Sequence, residues 1–256
     1  MRKLILTIVL FFALANVLEA QTKFYNTTSG ELIFGFSNAG YQAPKISDLP
    51  NNNSNGNIAE AARFTLWFHF GTYWHYNFNN TIGVYSGIAN RNIGFVTMEK
   101  ASLGSDGKVE TTDNVKWKRR AYAIGVPLVL KLGSFDDDYY FFLGAQYELL
   151  YHYKEKEFLP SGKRKYSSWF SNRVNRFLPS VFVGFTFPKG TSLKFTYYLN
   201  DMMNKEYSYN NGSGKVVSPY KYLSSRLFYF SVFQMVRWDN TTLKKGSVER
   251  KQVTLL

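Results

Sequence analysis

Cysteine is absent from this 256-residue chain, which removes disulfides, thiolate metal sites, cysteine nucleophiles and lipid attachment through an N-terminal cysteine. Histidine is scarce, present only as His69, His75 and His152. Acidic side chains are few, 18 against 31 Lys and Arg, for a formal net charge of +13. Such an excess suits an anionic partner, either nucleic acid or a phosphate-bearing membrane surface. Long apolar runs are missing as well: beyond residue 20 none approaches the ~18–20 residues a spanning helix needs. Aromatics are abundant, at 18% with 23 Phe and 19 Tyr, within a 45% hydrophobic composition. One domain with an ample core is therefore expected, and disorder, a collagen-like fibre and a repeat array are disfavoured.

The N-terminus carries Arg2 and Lys3, an apolar run from Leu4 to Leu18, and the small residue Ala20 before Gln21. This pattern predicts a secretory signal peptide over residues 1–20, with a short membrane anchor as the alternative. Export sets nucleic acid aside as a partner.

From residue 21 onward the dominant signal is period-two alternation, the mark of strands with two unlike faces. From Tyr122 to Leu132 the apolar positions Tyr122, Ile124, Val126, Leu128, Leu130 and Leu132 alternate with Ala121, Ala123, Gly125, Pro127, Val129 and Lys131. From Tyr139 to Lys154 the odd positions through Tyr151 and Tyr153 are greasy. The even ones, Gly144, Gln146, Glu148, His152 and Lys154, are small or polar. The pattern predicts eight strands near 31–38, 62–77, 81–97, 118–132, 139–158, 174–187, 191–203 and 224–238. Pro127 is awkward within one of them, because proline cannot donate to a ladder. Long polar connections at 39–61, 98–117, 159–173 and 204–223 alternate with short turns at 78–80, 133–138 and 188–190. That alternation predicts an all-β, eight-stranded antiparallel up-and-down transmembrane β-barrel over residues 21–238, monomeric, with its long loops at one end. A polar, basic tail, 239–256, follows it.

A soluble lipocalin-like barrel would show the same periodicity with its faces reversed. The polar face here is built from residues such as Thr65, His69, Gly71, Gly125, Gly144, Gln146 and Thr196 with few charges, which suits a crowded narrow lumen rather than a water-facing surface. Aromatics near strand ends, including Trp74, Tyr76, Tyr139, Phe187 and Trp238, fit interfacial girdles. The segments WKRRAYAIGVPLVLKLG (117–133), YYFFLGAQYELLYHYKEK (139–156) and SSRLFYFSVFQMVRW (224–238) resemble the PorT-like small outer-membrane β-barrel proteins of Gram-negative bacteria. The resemblance lies in strand texture and transfers no functional residue. It implies an outer-membrane location and a link to protein secretion, with a partner in an envelope or secretion complex; the residues themselves point to a non-enzymatic structural or interaction role.

An eight-stranded barrel encloses a lumen just wide enough to be filled by side chains. Glu148 is the candidate mid-lumen acid, with Arg63, Arg91, Arg119, Lys131 and Lys194 as candidate basic partners in an ion-pair network. His69 and His75 are expected on the lumen side about 20 Å apart at ~3.3 Å per residue, too far to share a metal. No metal site and no cofactor are expected. His152 with Asp201 and one of Ser161, Ser167 or Ser168 could be assembled into a lipid-modifying triad at the rim, so that enzyme is kept as an alternative to the non-enzymatic reading, as is a narrow channel. Lys118, Arg120, Lys163, Arg164 and Lys165 map to the loop end and are the candidate contacts for lipopolysaccharide phosphate or a partner protein. Asp136, Asp137 and Asp138 read as turn chemistry rather than a calcium loop.

Overall fold

The computed structural model describes residues 23–41, 59–61, 63–65, 69–103, 109–159, 162–210, 214, 216–221 and 223–238. The expected leader, 1–20, and the tail, 239–256, lie outside them. In chain order the strands are β1 (Lys23–Tyr41), β2 (Ala59–Ala61), β3 (Arg63–Thr65), β4 (Phe70–Asn77), β5 (Ile82–Leu103), β6 (Val109–Ser134) and β7 (Tyr139–Leu159). They continue with β8 (Gly162–Trp169), β9 (Phe177–Thr186), β10 (Thr191–Asp201), β11 (Tyr209–Asn210), β12 (Val216–Val217) and β13 (Leu223–Arg237). Among the described residues every strand pairing is antiparallel. The main sheet runs β1, β4, β5, β6, β7, β9, β10, β13, and β13 pairs with β1 from Thr27↔Arg237 to Tyr41↔Leu223. The order of pairings therefore returns to the strand where it began.

Alternation in the sequence becomes alternation of exposure. On β4, Phe70, Thr72, Trp74 and Tyr76 are exposed or nearly so while Gly71, Tyr73, His75 and Asn77 are buried. On β9, Val181, Val183 and Phe185 face outward against buried Ser180, Phe182, Gly184 and Thr186. On β6 the exposed set is Ile124, Val126, Leu128, Leu130 and Leu132, with Leu128 at 69%. The buried face mixes small, polar and aromatic residues, and Gly184 is needed there because a Cβ would collide with the Phe142 ring and the Leu193 carbonyl.

Pro127 is accommodated by a local gap in one ladder. Between Ser86↔Leu128 and Ala89↔Gly125 the β5–β6 register is kept but two residue pairs go unpaired, as a residue without an N–H dictates. The Ser86 hydroxyl donates to the Pro127 carbonyl at 2.7 Å. The short turns are also built by side chains. Asn79 Oδ1 accepts from the Thr81 and Ile82 amides at 2.8 and 2.7 Å. Asp137 accepts from Ser134 at 2.8 Å, and Asp136 accepts from Asn80 of the neighbouring turn at 2.8 Å. Lys189, with φ of 71°, turns the chain between β9 and β10.

Three sequence expectations are corrected. β1 starts at Lys23 rather than near 31, because Thr27 and Ser29 on its buried face carry the alternation through a stretch too polar to read as a strand. The span 62–77 is divided: β3 pairs with β1 at Ile33–Gly35, and β4 takes over from Phe70. The expected loops at 98–117 and 159–173 are largely strand, since β5, β6 and β7 extend to 22, 26 and 21 residues and β8 pairs along the far end of β7.

A further correction concerns faces. Tyr122 pairs with His152 but Ala123 pairs with Leu150, so Tyr151 is an extra residue, a β-bulge. One inserted residue exchanges the two faces of everything beyond it. His152 and Lys154, expected on the buried face with Glu148, instead point outward, while Tyr153 and Glu155 are buried at 1% and 6% exposure.

Candidate functional site

Two apolar clusters occupy the buried side. One gathers Ile93, Phe95, Leu150, Tyr153, Leu178, Tyr198, Met202, Met203, Tyr220 and Leu227 toward the loop end. The other gathers Tyr73, Tyr85, Phe142, Phe182, Phe233 and Met235 toward the turn end. A network of four charges meets the first through Tyr198 and the second through Phe182 and Phe233. Arg91 of β5 donates from Nη2 to Glu31 Oε2 of β1 at 3.0 Å, and Lys194 Nζ of β10 lies 2.8 Å from Glu31 Oε1. Arg91 Nη1 lies 3.6 Å from Glu148 Oε1 of β7. Gln146 donates to that oxygen at 2.6 Å, and the Tyr198 hydroxyl donates to Glu148 Oε2 at 2.9 Å. Phe182 and Phe233 lie under the Lys194 ammonium at 5.5 and 5.1 Å. Two acids and two bases cancel, and all four side chains are nearly free of solvent contact. Gly125, in register with Glu148, leaves the space: a Cβ there would strike the Gln146 amide.

The residues expected around Glu148 are therefore distributed over three levels. Arg91 and Lys194 join its network. Arg119 does not: it pairs with Glu155 at 3.1 Å and donates to Thr97 at 3.2 Å, because the bulge brings Glu155 to the buried face beside it. Arg173 completes that upper group, 2.9 Å from the other Glu155 oxygen and stacked on Tyr166 at 3.8 Å. Lys131 sits near the turn end, donating to Asn77 at 2.6 Å and Tyr25 at 3.1 Å and lying over Phe135 at 4.4 Å. The Arg63 side chain lies outside the described residues. Glu31, which holds two cations where Glu148 holds one, was overlooked. Its signal was parity, since it falls on the face opposite Leu32 and Phe34.

His75 is buried, stacked on Tyr25 at 4.5 Å and hydrogen-bonded to Thr27 at 2.9 Å; the His69 ring accepts from the Asn92 amide at 3.2 Å. Among the described residues no three His, Cys, Asp or Glu side chains converge as metal ligands do. His152 does reach Ser167, 2.9 Å from Nε2 to Oγ, with its ring between Tyr122 and Trp169. The acid of the triad weighed in the sequence is elsewhere: Asp201 accepts from the Ser225 amide at 2.6 Å and pairs with Lys205 at 2.7 Å.

Beyond the bulge, the outward side of β6, β7 and β8 is a surface of rows set by register. Tyr122, His152 and Trp169 form the lowest. Next come Arg120, Lys154 and Ser167, then Lys118, Lys156 and Lys165, then Lys116, Phe158 and Lys163. Of the five cations expected to form the loop-end patch, Lys118, Arg120, Lys163 and Lys165 share this face. Arg164 does not, because it alternates to the opposite side, 3.5 Å from Glu157. Partial burial, then the nearby Arg120, Lys165, Lys163 and Lys154 charges, hold the Lys156 ammonium below the usual lysine pKa.

No family model matches the chain, and no curated protein does. Among solved structures it is similar to Ail, the attachment invasion locus protein of Yersinia pestis, in complex with the heparin analogue sucrose octasulfate. That match has 13% identity and a TM-score of 0.32, covering 84% of this chain and 99% of that one. Neisserial surface protein A gives 10% identity and a TM-score of 0.32 over 84% of this chain and 97% of that one.

Proposed function

We propose that the chain is a closed eight-stranded outer-membrane β-barrel with a filled lumen. In this reading it is non-enzymatic and serves as a structural or interaction protein that engages the envelope through its cationic outer face. One observation carries the reading: apolar side chains line the exposed face of consecutive strands while Glu31, Arg91, Glu148 and Lys194 are buried. A water-soluble fold puts these classes the other way round. In hydrocarbon the inversion is required, and a ladder that returns to its first strand leaves no unpaired edge. The exposed apolar run on β6, Ile124 to Leu132, covers nine positions, close to the ~9–11 a tilted strand needs to cross.

Leu128 stands in the middle of that run, so Leu128→Arg decides the question. In a bilayer the substitution is expected to cost about 2–4 kcal/mol, the range for an arginine at the midplane. At a 69% exposed position of a water-soluble protein it would be close to neutral. Urea unfolding of the vesicle-inserted protein measures the difference, and a cost under about 0.5 kcal/mol would contradict the proposal.

The packed interior argues against conduction. Planar-bilayer recordings of the wild type are expected to be free of unitary steps, and reproducible steps would overturn the filled-lumen reading.

A further inference from the structure

Among the described side chains, the outward face of β6, β7 and β8 separates charge by sign. Glu155 and Glu157 both point to the other side, where they pair with Arg119, Arg173 and Arg164. The outward side holds Lys116, Lys118, Arg120, Lys154, Lys156, Lys163 and Lys165. Of these, Arg120, Lys154, Lys156, Lys163 and Lys165 make no ion pair among the described residues. A surface that served solubility alone would mix the signs. Lysines directly opposite one another across strands are destabilising, and here Lys118, Lys156 and Lys165 stand three abreast on adjacent strands about 4.8 Å apart.

Height identifies what compensates Lys156 and Lys165. The Tyr122, His152 and Trp169 row lies directly above the apolar run that ends at Ile124, at the level where aromatic rings mark a membrane interface. Arg120 and Lys154 are two residues further along their strands, and Lys118, Lys156 and Lys165 two more. At ~3.3 Å per residue and a tilt near 40°, these rows stand ~5 and ~10 Å above the aromatic ring level. The cations occupy the same face of the sheet as the apolar belt, the side that meets neighbouring lipid in the membrane reading.

We propose that Arg120, Lys154, Lys156 and Lys165 form a lateral binding site for the phosphates of an outer-leaflet glycolipid, one whose sugar headgroup stands taller than a glycerophosphate. The assignment rests on the membrane reading above. Lys154 and Lys156 enter the site only because the bulge at Tyr151 turns them outward. Arg164 is excluded because it faces Glu157.

The test uses the full chain folded in detergent, with bis-phosphorylated lipid A and its dephosphorylated form as probes and native mass spectrometry as readout. Replacing Lys154, Lys156 and Lys165 together with Ser is expected to weaken binding of the phosphorylated lipid on the order of 100-fold, about five-fold per cation. Lys156→Gln alone is expected to weaken it about five-fold. Arg164→Ser is expected to stay within about two-fold, since only the cations of the outward face lie beside the lipid. Relief of the cross-strand repulsion should leave the triple variant at least as heat-resistant as the wild type in lipid-free detergent. Equal binding by the triple variant, or by the dephosphorylated lipid, overturns the site. So does capture of soluble inositol hexakisphosphate in preference to the glycolipid. A triple variant that no longer folds would make these lysines structural and overturns it too. Heat-modifiable gel migration separates this result from the barrel proposal: a wild type that shows no shift overturns the barrel, while a shift with equal binding overturns the site alone.

Discussion

Glu31→Gln is expected to destabilise the folded protein by about 3–5 kcal/mol, the usual cost of removing one member of a buried charge pair. Glu31 is the carboxylate at 3.0 Å from Arg91 and 2.8 Å from Lys194, so neutralising it leaves two buried cations with one acid between them. Glu148→Gln should cost less, about 1.5–3 kcal/mol, the range for a hydrogen bond to a charged group. Its nearest Arg91 nitrogen is 3.6 Å away, and a glutamine oxygen can still accept from Tyr198. Adding Lys194→Met to Glu31→Gln should recover roughly half of the loss, because it removes the stranded ammonium and leaves Arg91 with Glu148. Urea unfolding in vesicles, with an unchanged dependence on denaturant, measures all three. A larger effect for Glu148→Gln than for Glu31→Gln would show that the two acids have been given the wrong ranks.

That ranking is where sequence reading reached its limit. Period two was legible because the outward positions of the strands are apolar, and β6 displays it without interruption from Tyr122 to Leu132. The consecutive antiparallel order of the strands followed from runs of alternation separated by turn-rich connections, although much of two expected long connections belongs to strands. Glu148 was legible as a lone acid on the small face of a strongly alternating strand. Its partners were not, because parity tells which face a residue occupies but not how far along the sheet it meets its neighbour. Arg119, Lys131 and Arg91 all lie on the buried side and occupy three separate levels. The polar stretch Thr27–Ser29 gave no strand signal, since the turn-end half of β1 presents Asn26, Thr28 and Gly30 outward in place of an apolar run. Nor does Tyr151 announce a bulge: it is an aromatic in a run of aromatics, and only the register with β6 reveals it as the extra residue.

Deleting Tyr151 should therefore leave both faces of β7 as they are. Ala123 pairs with Leu150 and Tyr122 with His152, so without the extra residue Leu150 and His152 become consecutive and the ladder runs on without a bulge. Leu150, Tyr153 and Glu155 stay on the buried side, and His152, Lys154 and Lys156 stay outward. The Arg119–Glu155 and Arg173–Glu155 contacts at 3.1 and 2.9 Å survive in a space closed by Tyr153, Met203 and Tyr220. A heat-modifiable folded species is expected on gels, less stable than the wild type only by what the Tyr151 side chain contributes. Tyr151→Ala is the matched control: it keeps the extra residue and gives up the 3.0 Å hydrogen bond to Asn90 and the ring contacts with Tyr122 and Trp169. About 1–2 kcal/mol is expected for that loss. The deletion variant should match Tyr151→Ala in stability; if it yields no heat-modifiable species while Tyr151→Ala does, Tyr151 is not the extra residue of β7, and the assignment of Lys154 and Lys156 to the outer surface fails with it.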